Sequence, residues 1–305
     1  MDIYLICDES GAKGYSDQSE SYPGETGVFA GYLVDENQLP MIRNRMSIIV
    51  SKYFANATKY HIAALSDAKK EELRHEVFEA INHCNLTCIY EAIHVEGFKA
   101  EHDRIQKIRD SVKEQKRSEI KVNSTILKNS LHEVLFQGLF AKAIAYCIDA
   151  FGNTYRLVVL IDRTDRPVYK SIKNSAKELT DFSPSETKVT GWDPRSDQAV
   201  KGSIKIMMDI PESYGMSEIE NAVFDLNMDD SNNPLILAAD ILANSINYVF
   251  KSRSQEDVGK ALNDKSSIQT HQLFRQFYGL MDDEDSAWTS DVVYMHPLEH
   301  SKAMR

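Results

Sequence analysis

Three acidic residues, far apart in the chain, each stand next to apolar residues of the kind that become buried. Asp8 ends the apolar run 3–7, Asp162 ends the run 155–161, and Asp240 follows the apolar residues 235–239. Burying an unpaired carboxylate is strongly unfavourable, so these acids need compensation from a cation or from hydrogen bonds. We therefore expect Asp8, Asp162 and Asp240 to meet in one site.

Such a site would have oxygen ligands only, which suit Mg²⁺ or Mn²⁺ far better than zinc. Two such ions, about 4 Å apart, stabilise the attacking and leaving oxygens of an in-line displacement at phosphorus. Strand alternation places Asp8 and Ser10 on one face and Glu9 on the other, which makes Asp8 the stronger ligand candidate. Two structural alternatives stay open: Asp162 could cap a following helix, and Asp240 could be paired for structure alone.

The elements that must position these acids alternate between strand and helix patterns. Apolar runs predict a pair of strands at 3–7 and 27–34, and a central strand buried on both faces at 155–161. The polar loop 10–26 between the first two strands is a candidate functional loop. Further strands are predicted at 86–95, 203–209 and 222–227, and a short extended piece at 60–64. Helices are predicted at 36–54, at 66–81 with Ser66 as cap, in two stretches within 98–151, and at 167–179, 234–250 and 258–280.

No internal repeat or low-complexity linker interrupts this pattern. The sequence thus predicts a single α/β domain over residues 1–305, with a helical insertion at about 98–150. With 42% hydrophobic residues, the chain can bury a sizeable core. We find no uninterrupted apolar run of about 20 residues and no signal-peptide pattern, so a cytoplasmic protein without a membrane partner is expected. The four cysteines lie in apolar stretches and are expected to be reduced core thiols.

The net charge of −11 argues against a protein that coats nucleic acid through charge alone. Basic residues are nevertheless concentrated in two places. Residues 99–128 carry nine basic side chains against five acidic ones. A second patch directly follows Asp162 and consists of Arg163, Arg166, Lys170, Lys173 and Lys177. Both could be solvated helix faces. In the second patch we expect Arg163, Arg166 and Lys170 to contact substrate phosphates because they begin beside a candidate site.

Several motifs resemble, in order and spacing across most of the chain, the bacterial family of unknown function numbered thirty-eight hundred. They are Ile6-Cys7-Asp8-Glu9-Ser10-Gly11, the segment at His61, the strand ending at Asp162, and Asp230-Ser231 followed by the segment 237–243.

The resemblance implies an RNase H-like fold, in which acids of the first strand, the fourth strand and a late helix bind catalytic metal ions. Carried over, Asp8, Asp162 and Asp240 would be the ligands, Glu9 and Ser10 would lie close by, and Ser231 would enter the helix of Asp240. The implied activity is that of a nuclease, and a setting near mobile elements or phage defence fits the family.

The chain departs from the family pattern near His61. An acid commonly precedes the His or Lys there, whereas Lys59 and Tyr60 occupy those places in this chain. A fourth metal ligand is therefore not identified. His61 could orient a water, contact a phosphate or act as a general base, or it could be a hydrogen-bonded residue at a strand end. Leu237 replaces the usual Gln before the late Asp, and we expect it to pack.

The sequence thus predicts a Mg²⁺- or Mn²⁺-dependent nuclease that acts on DNA or RNA. Two other classes of protein stay open. A phosphatase with Asp8 as nucleophile would have a second Asp two residues later, where this chain has Ser10. A non-catalytic interaction protein could form a homodimer, or bind a regulatory partner, through the helices at 98–150. Glycine-rich phosphate-loop motifs are absent from the sequence.

Overall fold

A mixed β-sheet lies at the centre of the computed structural model, which describes residues 1–55, 60, 62–114, 121–122, 130–152, 154–180, 185–193, 195–206, 223–229, 232–280 and 290–299. The strands are β1 (Asp2–Gly11), β2 (Thr26–Asp35), β3 (Thr87–His94), β4 (Lys121–Val122), β5 (Arg156–Asp162), β6 (Ser185–Asp193), β7 (Gln198–Ile206) and β8 (Val223–Asp229). The helices are α1 (Leu39–Phe54), α2 (Asp67–His83), α3 (Val95–Glu114), α4 (Leu131–Phe151), α5 (Arg166–Thr180), α6 (Pro234–Lys251), α7 (Lys265–Ile268) and α8 (Ser290–Val293).

Five strands form the main sheet in the order β3-β2-β1-β5-β8. β2 runs antiparallel to both β1 and β3, while β5 runs parallel to both β1 and β8. The predicted α/β class is therefore confirmed, as are the pairing of the first two strands and the central position of β5. Its residues 157–161 are buried. β4, β6 and β7 form a separate three-stranded sheet.

Helices cover both faces of the main sheet because strand alternation sends neighbouring side chains to opposite sides. Ile6 of β1 and Leu160 of β5 point into a core that also contains the apolar residues of α1, α2 and α6. Cys7 and Ile161, one residue further along, point into a second core built with α4 and α5. Whether a residue of β1 or β5 packs against one helical layer or the other thus depends on whether its position in the strand is odd or even.

α4, the second part of the predicted insertion, packs directly on the sheet and buries nine of its residues. Lys142 of α4 reinforces this contact by pairing with the buried Glu91 of β3 at 2.8 Å and donating to the Tyr90 carbonyl at 2.7 Å. Among the described helices, α4 alone is long and apolar enough to cross a membrane by length and composition. Here it is a core helix. The division of segment 98–150 from the rest of the chain stays a prediction.

Two local predictions were wrong. Residues 62–64 form a 3₁₀ turn instead of an extended piece. Ser66 is the N-cap residue of α2, but its hydroxyl makes no capping hydrogen bond. The predicted strand 203–209 is confirmed over residues 203–206, which end β7, and its remainder lies outside the described residues. Its hairpin partner β6 was not predicted.

The predicted helix 258–280 is also wrong, since the described chain there has only α7 and a 3₁₀ turn, Phe274–Gln276. Asn263 explains the interruption. Its side chain binds both the amide (2.9 Å) and the carbonyl (2.8 Å) of Ala92 in β3, which are backbone groups of another element. Satisfying a buried strand in this way outweighs the helical periodicity of the segment.

All four cysteines are free thiols, as predicted, with Cys7, Cys88 and Cys147 buried and Cys84 half-buried. Burial raises the pKa of Cys147 to about 12, so this thiol stays protonated and unreactive.

Candidate active site

Asp8 and Asp162 stand side by side where the parallel pairing of β1 with β5 ends. The register of β1 and β5 pairs Cys7 with Ile161, and each acid follows one residue beyond that pair. Residues at equivalent positions of neighbouring parallel strands point to the same face, and the strands lie about 4.8 Å apart. Both acids therefore belong to the face that α6 covers, in line with the predicted alternation of Asp8 and Glu9.

Each of these acids accepts a hydrogen bond from the amide of the residue that follows it. The Glu9 amide donates to Asp8 Oδ1 at 2.8 Å, and the Arg163 amide donates to Asp162 Oδ1 at 2.6 Å. The predicted alternative for Asp162, that it caps the next helix, does not hold, because α5 begins only at Arg166. Asp162 is the last residue of β5 and lies before the helix begins.

α6 brings the third acid to the same place. The helix begins at Pro234, and the side chain of its N-cap residue, Asn233, accepts from the Leu235 amide at 2.9 Å. Most of the helix is apolar and buried, but Asp240, Asn244 and Asn247 form a polar stripe at spacings of four and three residues. Such spacings put side chains on one face of a helix.

The polar stripe of α6 is hydrogen-bonded to β1. The side-chain amide of Asn244 donates through Nδ2 to the carboxylate of Asp240 and to the backbone carbonyl of the same residue. Ser10 Oγ in turn donates to Asn244 Oδ1 at 2.9 Å, and Asn247 lies 3.4 Å from the same hydroxyl. The Ser10 hydroxyl thus holds the helix that carries Asp240 in position. A contact of Ser10 with substrate, which its place beside the acids predicts, stays a prediction.

A cleft of about 260 Å³ opens where these elements meet. Four of the predicted site residues line it together: Asp8, Glu9, Asp162 and Asp240. Tyr60, Lys13, Ile236 and Leu237 complete the wall. Leu237 is buried, as predicted for a packing residue.

Burial and the like charges of Glu9 and Asp240 raise the pKa of Asp8 to about 9. Only 8% of Asp8 is exposed. A buried acid surrounded by acids holds its proton until a positive charge compensates it. The ionisation of the Asp8 carboxyl group thus depends on an added cation.

Glu9 is held in the opposite state by residues that the sequence analysis did not single out. Burial alone would raise its pKa, but the His132 imidazole of α4 when protonated, together with the charge and hydrogen bond of Lys13, brings the pKa below its usual value. Burial lowers the pKa of His132 itself, so Lys13 is the lasting positive charge beside Glu9. Lys13 Nζ lies 2.5 Å from Glu9 Oε1. Glu9 therefore forms an ion pair on the α4 side of the strand, and this pairing makes it a weaker metal-ligand candidate than Asp8.

The other predicted site residues lie apart from the cleft or outside the described residues. Arg163, Arg166 and Lys170 are exposed on and before α5 and do not line the cleft. His61, Lys59, Asp230 and Ser231 lie outside the described part of the chain, so their predicted roles stay predictions.

The donor chemistry of the cleft fits Mg²⁺ or Mn²⁺, because the acids that line it supply carboxylate oxygens and no His or Cys is among its described lining residues. In the part of the chain that the structure describes, no three His, Cys, Asp or Glu side chains are already arranged to hold an ion. The structure thus offers suitable ligands but not a formed coordination sphere.

Sequence reasoning missed several residues of this region. Asn244 and Asn247 could have been found from their spacing to Asp240, since both interrupt the same apolar helix. Lys13, in the polar loop, and His132 gave no such signal. The backbone of Asp229 lies in register with Asp162 at the same strand end, which adds a further acid to this edge of the sheet.

No model of a known protein family matches the sequence, and no curated protein is significantly similar to it.

Proposed function

We propose that this chain is a Mg²⁺- or Mn²⁺-dependent nuclease of RNase H-like fold that cleaves phosphodiester bonds of DNA or RNA. The observation that carries the proposal is that Asp8, Asp162 and Asp240, which are remote in sequence, line one cleft. A cleft whose polar wall is mainly carboxylate suits a divalent cation, and a pair of such ions suits an in-line displacement at phosphorus.

The origin of the acids supports the RNase H-like part of the proposal. Along the chain, β1 is the first and β5 the fourth strand of the main sheet, and α6 is a late helix. These are the elements from which the resemblance to the family numbered thirty-eight hundred draws its metal ligands.

In the proposed reaction, Asp8, Asp162 and Asp240 would hold the ions. When bound, divalent ions polarise the phosphate and stabilise the attacking and leaving oxygens. The protein's own contribution is positioning. Ser10 and Asn244 hold Asp240 next to β1 through their hydrogen bonds. The ion pair with Lys13 holds the Glu9 carboxylate away from the ions, so that Asp8 is the residue of this pair that would bind them.

The decisive experiment is the substitution Asp162→Asn, because an amide keeps the shape of the side chain and removes the charge that would hold an ion. We expect cleavage of labelled single- and double-stranded DNA and RNA in Mg²⁺ or Mn²⁺ to fall at least about a hundredfold, since the stabilisation that an ion provides is worth several kcal/mol. Excess EDTA should abolish cleavage by the unmodified chain.

Asp165→Asn is the matched control. This acid is exposed three residues further on, and within the described residues only its backbone carbonyl is bonded, to the Tyr169 amide. Its activity should equal that of the unmodified chain, and both variants should melt at the same temperature. Full activity of Asp162→Asn, or of the unmodified chain in EDTA, would rule out the proposed mechanism.

A further inference from the structure

A second, larger cleft of about 470 Å³ lies between α2 and α6, on the other side of Asp240. Asp240 lines both clefts, so the second one adjoins the acidic cleft. Its volume is in the range of small-ligand sites. The two clefts differ in character, because the second has an apolar floor that includes Leu73 and Ile241 and two basic side chains on one wall.

The basic side chains are Lys70 and Arg74, one helical turn apart on α2. Lys70 has an ion pair with Asp67 at 3.0 Å, but the Asp67 side chain is 99% exposed. Exposed pairs of this kind are weak and easily exchanged. For the half-buried Arg74, the described residues provide no ion pair with an acid. The two cations therefore remain able to bind an incoming anion.

The opposite wall is the exposed stripe of α6 that begins at the acid. Asp240, Asn244 and Tyr248 follow one another at intervals of four residues and all line the second cleft. Tyr248 is 65% exposed, which is unusual for a large aromatic residue on an otherwise buried helix. It lies about 12 Å along the helix axis from Asp240, given a rise of 1.5 Å per residue.

We propose that the cleft between α2 and α6 binds single-stranded nucleic acid beside the scissile phosphate, with Lys70 and Arg74 on phosphates and Tyr248 stacked on an unpaired base. The inference rests on the proposed nuclease function and adds the substrate class to it. Cations next to the acids offset their repulsion of a polyanion, and an aromatic ring can stack only on a base whose face is free.

The apolar floor agrees with this occupant. Sugars and bases present apolar faces between charged phosphates, and single-strand sites commonly combine a basic wall with aromatic platforms. A duplex keeps its bases paired and stacked, so it could use the cations but not Tyr248. Binding through this cleft should therefore favour single strands, whether DNA or RNA.

Equilibrium binding of short fluorescein-labelled oligothymidylate and oligouridylate tests the proposal, with duplexes of the same length for comparison. The measurements use the Asp162→Asn chain in Mg²⁺, so that the strand is not cut. Lys70→Ala combined with Arg74→Ala should weaken binding and reduce the salt slope by about 0.7 for each phosphate that is no longer bound. Tyr248→Ala should weaken single-strand binding about tenfold, as expected for loss of one stacked base.

Two matched controls separate these effects from general damage. Lys69→Ala removes a neighbouring, exposed charge of the same helix that does not line the cleft, and its affinity should be unchanged. Tyr248→Phe keeps the ring and should restore binding. An abasic nucleotide at the stacked position should weaken binding by the Asp162→Asn chain and have no further effect on Tyr248→Ala.

Unchanged affinity in both the basic double variant and Tyr248→Ala would overturn the inference. If the unmodified chain still cleaves nucleic acid in that case, the proposed nuclease function survives and only the assigned groove is wrong. Preferential binding of duplexes would overturn the single-strand assignment. A chain that neither binds nor cleaves any of the oligonucleotides would overturn both proposals.

Discussion

Asp8 and Glu9 are adjacent carboxyl groups in one strand that are held in different protonation states. Asp8 faces α6 and the other acids, so burial and like charges raise its pKa to about 9. Glu9 faces His132 and Lys13, which lower its pKa despite its burial. Alternation of side chains along β1 is the reason that neighbouring residues meet such different surroundings.

The raised pKa of Asp8 makes the stability of the metal-free chain depend on pH. The folded chain holds this proton more tightly than the unfolded chain, where the ordinary value is 3.8. Its contribution to stability is therefore complete below about pH 4 and is lost as the pH rises towards about 9. Asp8→Asn removes this dependence because an amide does not titrate.

We expect the melting temperature in EDTA to fall less steeply between pH 5 and pH 9 for Asp8→Asn than for the unmodified chain. At the alkaline end the variant should melt at least about 2 °C higher, which corresponds to about 1 kcal/mol for a chain of this size. In buffer without EDTA, added Mg²⁺ should raise the melting temperature of the unmodified chain but not that of Asp8→Asn. Parallel pH profiles for the two chains would contradict the assigned protonation state.

α6 is the element on which both proposals depend. One stripe of this helix carries Asp240, Asn244 and Asn247, and Ser10 and Thr26 bind the two asparagines from the sheet. Thr26 Oγ1 donates to Asn247 Oδ1 at 3.1 Å. These bonds fix the rotation of the helix, so that Asp240 lines the acidic cleft and Tyr248 lines the cleft between α2 and α6.

The two basic patches predicted from the sequence differ in how their charges are used. On α3, Lys99 pairs with Glu96 and Asp103, and Arg104 pairs with Glu101. These partners belong to the same helix, which is the behaviour of a solvated helix face. On α5, Arg166 and Lys170 are exposed near the end of β5.

For the α5 patch, Arg166→Ala combined with Lys170→Ala should weaken nucleic-acid binding to a similar degree for different sequences. For duplex DNA, the salt slope should fall by about one unit for each phosphate that the variant no longer binds. Lys69→Ala, at an exposed lysine of α2 outside both patches, is the control and should bind normally. Titrations at several salt concentrations measure the effect. An unaltered slope in the double variant, with an unaltered melting temperature, would show that α5 is only a solvated face.

Two cores on opposite faces of one sheet hold the whole molecule together. Phe136 of α4 is central to the second core, where it is fully buried and its ring lies 5.7 Å from those of both Phe29 and Phe140. Because β1 and β5 belong to both cores, damage to the α4 layer should also weaken the support of the acidic cleft.

Phe136→Ala should lower the free energy of unfolding by about 3–5 kcal/mol, the usual result of removing a buried aromatic ring. Ile48→Ala, at a side chain of α1 that is 54% exposed, should change it by no more than about 0.5 kcal/mol. Chemical denaturation followed by circular dichroism measures both. Equal, small effects would contradict the position of α4 as a core layer.

The amino-acid sequence by itself determined the elements whose patterns are local. Apolar runs identified β1, β2 and β5, and helical periodicity with Pro234 at its start identified α6. The same patterns located Asp8, Asp162 and Asp240, because an acid beside buried residues is conspicuous in any sequence. The polar stripe of α6 was also present in the sequence, in the spacing of Asn244 and Asn247.

Only the tertiary structure decided which distant residues compensate one another. Lys13 and His132 reach Glu9 from a loop and from α4, and Lys142 reaches the buried Glu91 across two elements. Asn263 breaks a helical pattern because β3 needs its amide. Hydrogen bonds and ion pairs of this kind join residues far apart in the chain, so their partners are set by the packing of sheet and helices and leave no periodic signal in the sequence.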